Sequence, residues 1–218
     1  MILKIKGDIV SNDMKDIYEW FGYDCTTPGD VLTALEEMPK GDRLQVKINS
    51  GGGDVFAGQE IYSTLRGRND VDIEVEGLAA SAASVIAMAG KSTISPVGML
   101  MIHDVSASYI SGNHAQLSKQ AETLKAWDEA LASAYVEKTG KSKEEIIQMM
   151  DAETWITADK AVELGFIDAI SQAGELVITN SIGNLKVTDE MIKKYEAKKA
   201  DTEKEKNELL KDLDKFGA

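Results

Sequence analysis

The stretch Gly77-Leu-Ala-Ala-Ser81-Ala-Ala-Ser84-Val-Ile-Ala-Met-Ala-Gly90 decides how the rest of the chain is interpreted. It follows residues 71–76, in which apolar residues at every second position predict a half-buried strand. After Gly77, small and apolar residues recur at helical spacing until Gly90, a residue that suits a helix end. Ser81 is therefore predicted to lie at a turn from strand to helix, with only alanines beside it.

A serine at such a turn has two interpretations. The first N–H groups of a helix lack intrahelical partners and carry the positive end of the helix dipole, so they could stabilise an oxyanion that forms beside Ser81. Serine is also a favoured helix N-cap, and on this stretch alone we weigh the catalytic and the capping interpretations equally. Ser84 lies one turn inside the helix and is predicted to serve packing.

The composition is that of a globular chain without a membrane span. With 218 residues and 43% hydrophobic content, the chain can form one domain with a real core plus an appendage. No apolar run reaches about 18 residues, and the N-terminus lacks a secretory layout, so we expect a cytoplasmic protein. One cysteine, Cys25, cannot form an internal disulfide or hold a metal cluster by itself. We expect no metal and no other cofactor.

The charge distribution limits the classes of partner and indicates a domain boundary. A net charge of −13 disfavours binding to nucleic acid and to anionic membranes, because both require a basic face. Residues 188–218 hold eight Lys and nine Asp or Glu, so nearly all the net negative charge precedes them. Beyond Lys186 the composition changes to mostly Lys, Glu and Asp. We predict a domain at residues 1–186 and a charged, helical or disordered extension at residues 187–218.

The order of the predicted elements favours an α/β fold. Strands are predicted at residues 2–10, 44–49, 71–76, 92–95 and 99–103, with helices between the first three at residues 31–38 and 55–66. This alternation predicts a sheet of parallel strands joined by right-handed crossovers. Two shorter helices are predicted at residues 143–150 and 157–164, and two late strands at residues 166–170 and 176–178.

The longest predicted helix spans residues 114–139. Apolar residues recur on one of its faces, namely Leu117, Ala121, Leu124, Leu131 and Tyr135. A helix of this length is long for one small domain. It is predicted either to pack on the sheet or to project and pair with another subunit.

Three features of the sequence could supply a nucleophilic site. They are Ser81, His103 at the end of an apolar strand, and the acidic pair Asp151 and Glu153. A serine hydroxyl becomes an effective nucleophile when a histidine accepts its proton, and a carboxylate behind that histidine fixes the tautomer. The only other histidine, His114, has polar neighbours and is predicted to lie on the surface. Spacing alone does not establish a triad, because such residues occur by chance in most chains of this size.

Four ordered motifs of the chain resemble those of the ClpP-type serine peptidases. They are Ile48-Asn-Ser-Gly-Gly-Gly-Asp-Val-Phe-Ala-Gly58, Gly77-Leu-Ala-Ala-Ser81-Ala-Ala, Met101-Ile-His103 and Trp155-Ile-Thr-Ala-Asp-Lys-Ala-Val-Glu-Leu-Gly165-Phe-Ile-Asp168. The resemblance covers about residues 2–171 and is greatest to the phage head-maturation, or prohead, proteases of ClpP type. It implies a crotonase-like ββα superhelix with a long projecting helix.

The resemblance also implies roles for individual residues. Ser81 would be the nucleophile and His103 the general base, while the N–H groups of Gly53 and Ala82 would form the oxyanion hole. Glycines 51–53 also suit a tight turn between a strand and a helix. A phosphate-binding loop is a poor alternative, because no Lys-Ser/Thr pair follows them.

The third member of the triad is less clearly specified. Alignment on Trp155 places Glu153 where the family usually has an aspartate, with Asp151 two residues earlier. A glutamate can orient an imidazole as well as an aspartate can. Glu153 is therefore the predicted acid and Asp151 is held in reserve.

The resemblance implies a serine endopeptidase that forms rings of identical subunits through its long helix. We expect an ATP-independent enzyme that cuts phage scaffold or capsid precursors during head maturation, in the host cytoplasm or within the prohead. The alternatives are a housekeeping ClpP-like peptidase that works with an unfolding ATPase and a non-catalytic capsid assembly factor. An acyl-CoA hydratase or hydrolase is a further alternative, because a fold does not fix a function.

Overall fold

The computed structural model describes residues 1–108, 110–172 and Lys204. Within them the strands are β1 (Ile2–Ile9), β2 (Cys25–Thr26), β3 (Leu44–Gly53), β4 (Val71–Ala80), β5 (Lys91–Ile94), β6 (Met99–Ile102), β7 (Thr154–Thr157) and β8 (Ala169–Ile170). The α-helices are α1 (Lys15–Phe21), α2 (Pro28–Glu37), α3 (Val55–Leu65), α4 (Ala82–Ala87), α5 (His114–Thr139), α6 (Lys143–Asp151) and α7 (Ala158–Glu163). A short 3-10 helix spans Asn12–Met14.

The sheet confirms the predicted α/β class. Its main path runs β2-β1-β3-β4-β5-β8, and every pair along it is parallel. Strand β4 pairs with β5 through its first half and with β6 through its second half. Strand β7, which the sequence analysis did not predict, pairs antiparallel with β6. The second half of β4 and its partner β6 lead directly to Ser81 and His103.

Two central strands are longer than the alternating pattern predicts. Strand β3 continues from Asn49 through Gly53, because the glycines still pair with β1, at Asp8 and Ile9. Strand β4 continues to Ala80, because its last residues pair with β6. The late strand predicted at residues 166–170 is shorter, at Ala169–Ile170. The predicted strand at 176–178 lies outside the described residues, as does the extension at 187–218 apart from Lys204.

The core explains why the helix after Ser81 consists of small residues. All six residues of α4 are buried, so bulky side chains would not fit between the sheet and its neighbouring helices. Fully buried aliphatic residues on both sides of the turn include Ile48, Val75, Ile86 and Leu100. Each such side chain contributes about 1.5–3 kcal/mol to stability on burial, so the core holds the turn firmly.

Helix α5 packs on the body through one half and projects from it with the other. Its second half packs on the body, where Leu131, Ala132 and Tyr135 are buried. Residues 114–123 are all exposed, so the first half of the helix projects from the body. Among the described helices, none is both long enough and apolar enough to span a bilayer.

Gly53→Ala is expected to destabilise the sheet. Gly53 has φ +145°, and an added Cβ would lie 2.2 Å from the carbonyl oxygen of Ile9. We expect a loss of about 2–4 kcal/mol in the free energy of unfolding, measured by urea denaturation. Gly51→Ala is the matched control, because its Cβ would meet no atom of the described residues within 4 Å, and we expect a change within about 0.5 kcal/mol. Equal stability of the two variants would contradict the pairing of β3 with β1.

Candidate active site

Ser81 occupies a strained turn between β4 and α4. Its backbone has φ 54° and ψ −128°, a conformation that costs a non-glycine residue about 1–3 kcal/mol. The side chain makes no capping hydrogen bond with α4, although Ser81 stands at the N-cap position. Its Oγ is therefore free of the helix and available for another contact, which favours the catalytic interpretation over the capping one.

Two glycines of the first motif make room for this turn. A Cβ on Gly52 would lie 2.7 Å from both the carbonyl oxygen of Ala80 and the Cβ of Ser81. A Cβ on Gly58 would lie 2.8 Å from the Cβ of Ala82. These positions of the motif require glycine because the backbone there comes too close to Ser81 and Ala82 to leave room for a side chain.

The structure brings Ser81 and His103 into contact. His103 follows the last residue of β6, and the pairing of Ala80 with Met101 sets β6 alongside the end of β4. The N–H of Ser81 donates to the carbonyl of Met101 at 3.0 Å, which fixes this alignment. His103 Nε2 lies 2.8 Å from Ser81 Oγ. An imidazole nitrogen at this distance can accept the hydroxyl proton as the oxygen attacks.

The two predicted oxyanion donors lie beside the same serine. Gly53 and Ala82 line a small pocket of about 50 Å³ together with Ser81 and His103. Ala82 is the first residue of α4, so its N–H has no partner within the helix. The pocket therefore has an amide donor of the kind that an oxyanion requires.

The pairing of β6 with β7 places the backbone of Glu153 opposite that of His103, but the Glu153 carboxylate is hydrogen-bonded to another residue. It is one position beyond the paired residues Ile102 and Thr154 of β6 and β7, so it stands opposite His103. It has φ 46°, is exposed, and its Oε1 accepts from the indole N–H of Trp155 at 3.3 Å. Asp151, the last residue of α6, is also exposed. Among residues 1–108 and 110–172, neither carboxylate is hydrogen-bonded to His103.

A third carboxylate, Asp128 of α5, interacts electrostatically with the histidine, although within residues 1–108 and 110–172 the two side chains form no hydrogen bond. It is only 8% exposed, and its Oδ1 accepts from the N–H of Val105 at 2.6 Å. Burial raises the pKa of Asp128, and the charge of Asp151 adds to this effect. The hydrogen bond from the N–H of Val105 and the electrostatic interaction with His103 lower the same pKa, so the imidazole is within electrostatic reach of Asp128.

Asp128 was not among the predicted site residues, although the sequence contains a signal for it. Asp128 lies four residues after Leu124 and three before Leu131, which places it on the apolar face of α5. An acid on a buried helix face requires a partner, because an unpaired buried charge is costly. His114, in contrast, is exposed at the start of α5, as predicted.

Asp104 completes a group of carboxylates behind His103. Burial, the charge of Asp128 and contact with Asp151 raise the pKa of Asp104 to about 6. The total negative charge of this group therefore changes between about pH 5 and 7. In the part of the chain that the structure describes, no three His, Cys, Asp or Glu side chains form a group that could hold a metal ion.

Comparison with known proteins assigns the family. The Clp protease family model matches residues 28–174. Subunit 2 of the ATP-dependent Clp protease of Chlamydia trachomatis serovar D, a proteolytic subunit, is 31% identical over 187 residues, which are 81% of this chain and 91% of that protein. The corresponding subunit 2 of Chlamydia pneumoniae is 33% identical over 173 residues, which are 75% of this chain and 84% of that protein.

A third relative is matched over less of its length. Subunit 1 of the ATP-dependent Clp protease of Streptomyces avermitilis, also a proteolytic subunit, is 37% identical over 134 residues. These are 60% of this chain and 61% of that protein. The chain belongs to the Clp protease family of ClpP-like, serine-type peptidases.

Proposed function

We propose that this chain is a serine endopeptidase that cleaves polypeptides through Ser81 and His103. The observation that carries the proposal is the 2.8 Å separation of His103 Nε2 and Ser81 Oγ at a strained turn. Ser81 Oγ attacks the scissile carbonyl carbon while His103 accepts the hydroxyl proton. His103 then donates this proton to the leaving amine, and water hydrolyses the acyl-enzyme by the same route.

The surrounding groups would stabilise the charges that develop in this reaction. The N–H groups of Gly53 and Ala82 donate to the oxyanion of the tetrahedral intermediate. A carboxylate keeps the proton on His103 Nδ1 and stabilises the imidazolium. The resemblance assigns this role to Glu153, with Asp151 in reserve, whereas burial and anchoring favour Asp128.

The names of the relatives suggest how the enzyme would be used. They are proteolytic subunits of ATP-dependent proteases, so we propose that this chain acts as a homo-oligomer that receives polypeptides from an unfolding ATPase. The exposed first half of α5 offers a surface for contact between copies. A ring of such copies in the cytoplasm would enclose the active sites and restrict access to unfolded chains.

Phage head maturation is the second candidate. It rests on the resemblance of the four motifs and on the charged residues 187–218, which lie beyond the family match that ends at residue 174. In this case a peptidase domain at residues 1–186 would cut scaffold or capsid precursors without an ATPase. The relatives described above are bacterial Clp subunits, so the first candidate has the stronger support.

Two substrates distinguish the candidates. We expect the purified oligomer to react with a fluorophosphonate at one serine and to degrade an unfolded protein such as β-casein. If the first candidate is right, a folded substrate is degraded only when ATP and a bacterial Clp unfoldase are added. Cleavage of a purified capsid precursor at defined sites without ATP would favour the second candidate. An intact oligomer that neither reacts nor cleaves would overturn both and favour a non-catalytic assembly factor.

A further inference from the structure

A chain of buried hydroxyl groups connects helix α5 to the backbone of Ser81. Ser84 is fully buried, and its Oγ donates to the carbonyl oxygen of Ser81 at 2.7 Å. The same Oγ lies 2.8 Å from the hydroxyl of Tyr135. Tyr135 is 2% exposed, and its ring packs edge-on against Phe166 with centroids 5.9 Å apart. These hydrogen bonds give Ser84 more than the packing role predicted from its position one turn inside the helix.

The direction of these hydrogen bonds follows from counting protons. Ser84 has one hydroxyl proton, and it points to the carbonyl oxygen of Ser81. The hydroxyl of Tyr135 must therefore donate to Ser84 Oγ. Burial raises the pKa of Tyr135, so the phenol stays protonated and donates at every pH at which the enzyme would work.

The carbonyl of Ser81, which accepts the last hydrogen bond of this series, belongs to the same peptide unit as the N–H of Ala82, the proposed oxyanion donor. The C=O of Ser81 and the N–H of Ala82 lie in one plane because the peptide bond does not rotate freely. The N–H groups of Ser84 and Val85 also donate to this oxygen, at 2.9 and 3.3 Å. Because the N–H points the opposite way within the same plane, holding the oxygen in place fixes the direction of the N–H.

A chain of hydrogen bonds also polarises the groups that it joins. Donation from Tyr135 makes the Ser84 hydroxyl a stronger donor, and this in turn withdraws electron density from the Ser81 carbonyl. The amide N–H of Ala82 then carries more positive charge. It becomes a better donor to an oxyanion, although neither Ser84 nor Tyr135 touches the reacting atoms.

We propose that Ser84 and Tyr135 are positioning residues that orient and polarise the Ser81–Ala82 peptide for oxyanion binding. The inference rests on the proposed function, because it requires an oxyanion at Ser81. It gives α5 a part in catalysis: the helix whose first half projects from the body anchors one wall of the oxyanion hole through its second half.

The test compares Tyr135→Phe and Ser84→Ala with the parent enzyme on a fluorogenic peptide. We expect each to lower kcat about tenfold with KM unchanged, which is less than the loss that follows removal of an oxyanion donor itself. The double variant should be no worse than about the larger single effect, because both changes interrupt one chain. Affinity for a peptide boronate, whose tetrahedral adduct places an oxygen in the oxyanion hole, should fall by the same factor as kcat/KM.

Two variants serve as matched controls. Tyr62→Phe removes a phenol hydroxyl whose contact with Glu137 is a long 3.4 Å. Ser92→Ala removes a buried hydroxyl that has no hydrogen-bond partner in the described part of the chain. We expect kcat and boronate affinity within about twofold of the parent for both.

Three results would overturn the inference. One is an active parent whose kcat and boronate affinity are unchanged within twofold by Tyr135→Phe and Ser84→Ala, a result that leaves the proposed function standing. The second is a loss of activity that follows only from a smaller folded or oligomeric fraction, with the remaining oligomer as active as the parent. The third is a parent that does not react with a fluorophosphonate or bind the boronate, which would overturn the proposed function as well.

Discussion

Ser81→Ala is expected to lower kcat for peptide cleavage by about 10⁶-fold, a loss of the size known for nucleophile removal in serine proteases. The change removes the atom that forms the acyl-enzyme, so only the much slower direct attack of water on the substrate carbonyl remains. The fold should survive, because alanine loses only the hydroxyl that contacts His103. We would measure kcat on a fluorogenic peptide, fluorophosphonate labelling by intact mass, and the thermal unfolding midpoint.

Ser84→Ala is the natural comparison, because it removes a serine hydroxyl three residues further along the same segment. For Ser84→Ala we expect about a tenfold loss and preserved labelling. The two serines should thus differ by about five orders of magnitude in their effect on kcat. If labelling survived Ser81→Ala and disappeared in Ser84→Ala, the nucleophile would be wrongly assigned.

His103→Ala should abolish labelling as Ser81→Ala does, because the hydroxyl would lose its proton acceptor.

Local sequence signals predicted most elements of this fold correctly, because each has a local physical cause. Thr27 and Ser142 head capping boxes in the structure. The helix after Ser142 begins at Lys143 as predicted, and the helix after Thr27 begins at Pro28, three residues before the predicted start. Strand β7 was missed because it has only four residues and its Trp155 is 51% exposed. It is held by pairing with β6, a long-range contact that no local pattern reveals.

The sequence predicted some residues of the candidate site, such as Ser81 and His103, but not Asp128. The contact of Ser81 with His103 followed from motifs whose order resembles a known family, and strand pairing then brings the two together. The position of Asp128 depends on which part of α5 crosses the site. A helix of 26 residues is about 39 Å long, so the sequence alone cannot say which of its turns lies behind His103.

Asp128→Asn is expected to lower kcat by about 10⁴-fold, the loss known when the carboxylate behind a catalytic histidine becomes an amide. Asp128 is 8% exposed, its Oδ1 accepts from the N–H of Val105, and it interacts electrostatically with His103, so burial and anchoring favour it as the acid. Asparagine has nearly the same shape and can still accept from Val105, so the loop after His103 should keep its position. The expected loss therefore reports the charge and the imidazole tautomer rather than the fold.

Glu153→Gln and Asp151→Asn decide between the assignment from the resemblance and the assignment from the structure. Glu153 is exposed and its carboxylate accepts from Trp155, so we expect Glu153→Gln to lower kcat less than tenfold, and Asp151→Asn likewise.

The kcat of all three variants should be measured from pH 5 to 9. We expect the kcat of the parent to change near pH 6, where Asp104 titrates, and Asp128→Asn should move this change to lower pH, because the charge of Asp128 helps raise the pKa of Asp104. If Glu153→Gln gave the 10⁴-fold loss and Asp128→Asn did not, Glu153 would be the triad acid. Asp128 would then only anchor the loop that carries Val105, and the Glu153 carboxylate would have to leave Trp155 for His103 in the active oligomer.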